Sequence, residues 1–325
     1  MMLTILSTML PIVVTLLLGF VAAWHHDFTA KEATILNRMV LTYAVPLAVF
    51  VGTVGTPRDR LIQSLPLALA LLAGIVGMYV LVYLLCRFVL RLNMSLSALA
   101  AVTASGPAVP FLGPAILGGI FGASASAVPI AMGSIIINIT VVPVTIFLLT
   151  MGAASKQAPV GASVGAAAVP ASAGAILAEH LKKTFKKPLV WAPLLAFAIV
   201  LLNIHVPDLV SHSFLMLGHA SAGVALFAAG IVLAAYRVKL DLYSGFFAVL
   251  KNIVQPALVF GAMIALGFSH AVAAPAVMTM AIPAMPIVVM LALEYGVAVD
   301  YAPSILLIST LASPLTVGAF MALVA

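Results

Sequence analysis

The chain has 325 residues, 65% of them hydrophobic and 7% charged, with a mean hydropathy of +1.29. So little charge cannot coat a soluble globule of 33.5 kDa, which excludes a cytosolic enzyme, a disordered chain and a nucleic-acid binder. The 14 Lys+Arg against 8 Asp+Glu report topology first, as in any membrane chain, and the single Cys86 permits no internal disulfide.

Cutting the sequence at charges and turn residues gives ten apolar segments, each near the 20 or so residues that span a bilayer. They lie at about 2–24, 32–54, 62–90, 95–121, 124–151, 187–204, 208–235, 243–267, 271–293 and 301–324. The runs are continuous and Leu/Ala-rich, unlike the alternating strands of a barrel, so the expected class is an all-α polytopic membrane protein. The first segment has no basic leader and reads as a retained helix rather than a cleaved signal peptide.

Charge placement predicts orientation. Even-numbered connections hold only Arg58 and Arg60 as basic residues, whereas the odd-numbered ones and their flanks hold Lys31, Arg38, Arg87, Arg91, Lys156, Lys182, Lys183, Lys186, Lys187, Arg237 and Lys239. The positive-inside rule then predicts a multi-pass protein of the bacterial inner membrane with both termini outside the cytoplasm.

Residues 1–151 and 187–325 each hold five segments, separated by a small-residue, then basic, stretch at 152–186. The stretch reads as a cytoplasmic linker ending in a short amphipathic segment at the headgroups, either a topogenic anchor or a partner site. Five helices per half force the second half to insert upside down, and the halves echo one another weakly. Pro46–Gly52 resembles Gly223–Gly230, and Pro143-Val144-Thr145 resembles Pro314-Leu315-Thr316. An inverted 5+5 repeat is a construction of secondary transporters.

The fourth segment of each half carries clustered prolines, Pro107, Pro110 and Pro114 in the first and Pro283 and Pro286 in the second. A proline inside a helix costs about 3 kcal/mol, because it removes a donor and clashes with the preceding turn. Such clusters predict two helices broken at mid-membrane, tolerable only where the freed backbone is buried or lines a cavity. Half-helix N-termini there would suit a small anion. Plain packing kinks are the alternative. Gly118 and Gly122 read as a small-residue packing pair.

The sequence resembles the auxin efflux carrier family, in particular bacterial members described as malonate or other organic-acid permeases. The resemblance covers nearly the whole chain. It rests on the 5+5 plan, Leu36-Asn37 through Pro46 and Phe50, the Phe111-Leu112-Gly113-Pro114 break and Lys186 to Pro193. Leu226-Phe227 with Gly230, and Lys251 with Gln255-Pro256, complete it. It implies a crossed-helix fold shared with bile-acid symporters and sodium/proton antiporters. The first, second, sixth and seventh helices would form a scaffold, often a homodimer, around an elevator-like transport domain. Substrate would sit where the fourth and ninth helices cross, by Pro107, Pro110, Phe111, Gly113, Pro114, Pro283, Met285 and Pro286. The family's Asn in the break is replaced here by Pro107-Ala108-Val109, which makes an aromatic auxin-like substrate less suited.

Polar residues inside apolar segments are costly and therefore candidates. Asn138 could donate to a substrate carboxylate or bond its own backbone. Ser309 and Thr310, matched to it by the Pro-x-Thr echo, could line the same cavity, and Thr42 could face it from the second helix. Lys251 could attract a dianion, stand in for a coupling sodium, or snorkel to headgroups. Gln255 lies one turn on, and His219 could carry a coupling proton or sit at an interface. No segment has a carboxylate at its centre, which argues against cation exchange, and no metal-ligand or nucleophile motif points to an enzyme or a resident cofactor. The expected function is a carrier for a small carboxylate such as malonate, driven by a sodium or proton gradient or by membrane potential. Alternatives are a sodium-coupled carrier of a larger organic anion and a non-transporting anion receptor.

Overall fold

A computed structural model describes residues 2–56, 58–59, 64–157, 182, 185–235 and 239–324. Most of the expected linker and its basic segment, with Arg60 and Arg237, lie outside the described residues. Among the described residues the fold is all helical, and the only β-type pairing is an isolated antiparallel bridge between Pro107 and Ala284.

Helix α1 is Met2–Trp24. Helix α2 starts at Ala30, where Thr29 and Glu32 form a reciprocal capping box, and runs to Val54. Helix α3 spans Leu65–Val89. The fourth apolar segment is two helices, α4 (Met94–Ser105) and α5 (Val109–Phe121). Helix α6 begins at Ala123–Ile136 and ends as Val142–Gln157. After the linker come α7 (Pro188–Leu201), α8 (Asp208–Gly218), α9 (Ala220–Ala235) and α10 (Leu242–Ala265). The ninth segment is again split, into α11 (His270–Ala281) and α12 (Ile287–Tyr295), and α13 (Tyr301–Leu323) closes the chain.

Six of these stretches are long and apolar enough to cross a membrane: Ala30–Val54, Leu65–Val89, Val128–Ala153, Asp208–Ala235, Leu242–Ala265 and Tyr301–Leu323. The outer surface suits lipid, with Leu17, Leu18, Leu69, Leu81, Phe88, Leu258, Ile264 and Leu315 all exposed. The interior is built mainly from Ala, Val, Leu and Ile, with Met278, Met280, Met285 and Met290 around the second break. Helix α4 is buried all round from Ser97 to Ser105, as expected of a helix at the centre of a bundle.

Three of the long helices change pitch just before a proline. Five-residue π-helical turns at Val40–Ala44, Ile137–Val141 and Leu250–Val254 each precede Pro46, Pro143 or Pro256 by two residues. The proline ring cannot donate and would strike the carbonyl four residues back, so the wider turn makes room for it. A fourth such turn, Leu85–Val89, ends α3.

Two expectations change. Gly122 is not a packing residue: at φ +81° it terminates α5, its N–H donating to Gly118 at 2.9 Å. The true close approach is elsewhere, between α1 and α9. A methyl on Gly19 would fall 2.0 Å from the Phe227 carbonyl, and one on Gly230 2.0 Å from the Leu16 carbonyl. Helix α6 runs to Gln157, six residues past the expected end, because helix-forming residues follow Gly152, whose backbone presses on Ser95. The 208–235 segment stands as one membrane-length stretch, with a single-residue turn at His219 between α8 and α9.

Candidate functional site: the crossing of two broken helices

Both proline clusters break their helices, and the two breaks meet. Gly106 leaves α4 in an extended conformation, and Ile282 leaves α11 likewise. The Ala108 N–H donates to the Pro283 carbonyl at 2.9 Å, and the Met285 N–H donates to the Gly106 carbonyl at 3.2 Å. Residues 106–108 and 283–285 thus form a two-rung antiparallel patch in the middle of a helical bundle. A Cβ at Gly106 would press on the Val102 carbonyl at 2.8 Å and displace Met285 Cε, 2.2 Å away. Pro107, Pro283, Met285 and Pro286 are buried in the patch, with Pro286 capping α12.

Helix α10 holds the carboxyl ends of both half-helices. The Lys251 Nζ donates to the carbonyls of Met280 and Ile282, at 2.8 and 2.7 Å, closing α11. One turn on, the Gln255 Nε2 donates to the Ser105 carbonyl at 2.8 Å, closing α4, and reaches the Gly74 carbonyl at 3.3 Å. The carboxyl end of a helix carries partial negative charge, so an ammonium and an amide suit it. Lys251 is fully buried, with no carboxylate in ion-pair reach among the described residues, so the snorkelling expectation fails. The reason is that the broken helix offers the ammonium a nearer pair of carbonyls than the headgroups do.

Helix α13 pins the other side. The Ser309 hydroxyl donates to Asn252 Oδ1 at 2.6 Å and accepts the Ala284 N–H at 2.9 Å. The Asn252 Nδ2 donates to the Ser309 carbonyl at 2.7 Å. Thr310 is buried beside it. Two polar atoms at the crossing, Ser105 Oγ and Gln255 Oε1, are buried without a hydrogen-bond partner. Buried polar atoms are nearly always paired, so these two orphans are exceptional, and Gln255 also lines an apolar cavity of about 390 Å³ between α3 and α10.

Cavities lie beyond the first break, at the start of α5. A cavity of about 490 Å³ is lined by Pro110 and Phe111 at the start of α5, Ser134 of α6, Val45 to Thr56 of α2, and Ser221. It shares Val51, Gly55, Thr56 and Leu215 with a more polar cavity of about 560 Å³ that reaches Arg58, His205 and His212.

The structure gathers Lys251, Gln255, Ser309, Pro107, Pro283 and Met285 at one point. Gly113 packs on Ile130 one turn into α5, and Pro114 follows in that helix. Asn138 is buried, and its Nδ2 donates at 2.7 Å to the carbonyl of Ser134, a residue that lines the cavity. His219 is exposed at the α8–α9 joint, and Thr42 lines a separate cavity at the opposite, basic end. Asn252, which the sequence marks only as the residue after Lys251 in a buried helix, joins the site through Ser309.

A bundle with a lipid-suited exterior and polar groups gathered at two interrupted helices defines a membrane transporter. The comparisons agree: residues 4–321 match the family described as membrane transport protein, that of the auxin efflux carriers, and the chain belongs to it. It is 31% identical over 255 residues to the uncharacterized transporter YfdV of Escherichia coli K12, across 77% of this chain and 76% of the relative. The YfdV proteins of Escherichia coli O157:H7 and Shigella flexneri match equally.

Proposed function

We propose that this protein is a secondary carrier for a small organic anion, with malonate the type substrate, working by alternating access. The carrying observation is the interlocked pair of breaks with two orphan polar atoms beside them. In this reading the chain is a 5+5 inverted repeat in which α4–α5 and α11–α12 count as one broken span each. Helices α1, α2, α7, α8 and α9 form the scaffold, through which two copies pair, and the remainder move as an elevator.

The amides of Ala108, Ala284 and Met285 already donate within the protein, which argues against bare backbone there as the carboxylate's main partner. The cavity at Pro110 and Phe111 is the better seat on space and on the positive end of the α5 dipole, since its local donors, the Phe111 and Leu112 N–H groups and the Ser134 hydroxyl one turn from Asn138, already serve the Ala108 and Ile130 carbonyls. Its volume suits a short carboxylate with water, and the adjoining Arg58, His205 and His212 would draw an anion inward. Lys251 fills a cage of helix-end carbonyls that a cation would otherwise take, which favours a proton or the membrane potential over sodium at that position. The orientation follows the charge asymmetry, with Arg38, Lys186 and Lys187 facing the cytoplasm and both termini opposite.

Uptake of labelled malonate into proteoliposomes, with proton, sodium or potential gradients imposed singly, tests the reading. Saturable flux is expected, and it should depend on a proton or potential gradient. Binding without flux would favour a receptor, and sodium-dependent flux of bulkier anions only would favour the bile-acid type. Asn138→Ala should weaken malonate-dependent thermal stabilisation; an unchanged shift makes Asn138 structural.

A further inference from the structure

A further cavity, of about 440 Å³, lies at the basic end of the bundle and shares no lining residue with the cavities described above. It is walled by Thr34, Asn37, Arg38 and Thr42 of α2, by Lys186 to Leu189 at the start of α7, and by Glu294 of α12. Asn37 is 5% exposed, and its Nδ2 has no acceptor. An amide donor buried in a polar pocket without a partner costs about 1–3 kcal/mol, and a ligand that accepts a hydrogen bond removes that cost. Arg38 and Lys186 form no ion pair among the described residues, whereas Lys187 is held by Glu294 and stacks over Tyr295 at 4.8 Å. Pro188 and Leu189 bring the N-terminal end of the 14-residue α7 to the same wall, and that end carries partial positive charge.

We propose that this cavity binds an anionic group, a carboxylate or a phosphate, with Asn37, Arg38 and Lys186 as its donors. Glu294 opposes the guest and competes with it for Lys187. The pair Lys187–Glu294 ties α7 to α12, so an anion that recruits Lys187 loosens the link between those helices. The inference is independent of which substrate crosses at the breaks. Its readout is binding of phosphate rather than flux of malonate, so either can fail alone.

The test is the melting shift of the full chain with inorganic phosphate in lipid-free neutral detergent. In parallel, melting is compared between phosphatidylglycerol and phosphatidylcholine nanodiscs. Arg38→Gln with Lys186→Gln, and separately Asn37→Ser, should weaken phosphate binding about tenfold, the loss expected for one charge-assisted hydrogen bond. Glu294→Gln should strengthen it, and Ser309→Ala at the crossing should leave it unchanged. A shift with phosphatidylglycerol but not with free phosphate, lost in the same variants, assigns the site to a lipid headgroup. No shift from either source, or one that Asn37→Ser and Glu294→Gln leave untouched, overturns the proposal.

Discussion

Lys251 and Gln255 stand one turn apart on α10, and each closes the carboxyl end of a different broken helix. The Lys251 ammonium holds α11 through Met280 and Ile282, while the Gln255 amide holds α4 through Ser105. One helical face therefore sets the spacing of two breaks that lie more than 150 residues apart in the chain.

Removing either donor should loosen the crossing. Lys251→Met leaves the Met280 and Ile282 carbonyls buried without donors, a penalty of about 1–3 kcal/mol for each unsatisfied group. Relief from burying a charge offsets part of it. A lower melting temperature is expected, with faster amide exchange at 282–286. Unchanged melting and exchange would mean that the carbonyls find other partners.

Asn252 and Ser309 share two hydrogen bonds and, through Ser309, the Ala284 N–H. Residues joined in one network are not additive, so a double-mutant cycle of Asn252→Ala and Ser309→Ala should give a coupling of about 0.5–3 kcal/mol. Additive losses would show that the two act separately.

Gly230→Val is expected to be more damaging than any substitution on the lipid face. Its new methyls meet the Leu16 carbonyl and the Phe20 amide of α1, both backbone and unable to swing aside. Forcing such helices apart costs about 1–3 kcal/mol or more. Gly245→Ala, inside its helix and with nothing within 4 Å, is the control and should leave melting unchanged or slightly raised.

Asp241 caps α10 by accepting the Ser244 N–H at 2.9 Å, and that bond holds its carboxyl below the usual aspartate value. A depressed carboxyl favours the folded state above its ordinary pKa and loses that contribution as pH falls through the depressed value. Asp241→Ala should therefore melt below wild type at pH 7. The gap should close progressively as pH drops below 3.8. A gap independent of pH would assign the effect to packing.

Much of this was legible in the sequence because proline acts locally. The clusters at Pro107–Pro110 and Pro283–Pro286 stop their helices, whereas single prolines such as Pro129, Pro275 and Pro314 are carried inside theirs, and the segment limits followed from unbroken apolar runs. The pairing of 106–108 with 283–285 was not legible, since it depends on two distant backbones arriving in register. The same limit hid the fate of Asn37. Its neighbours suggest a half-buried helix face, but only the packed bundle shows that α7 and α12 leave its amide facing an empty space.

The contact between α1 and α9 has a mechanical meaning. Where main chain touches main chain at Gly19 and Gly230, there is no layer of side chains to act as a bearing. The two rods must travel as one rigid strut, and any sliding within the molecule has to take place along seams cushioned by larger residues.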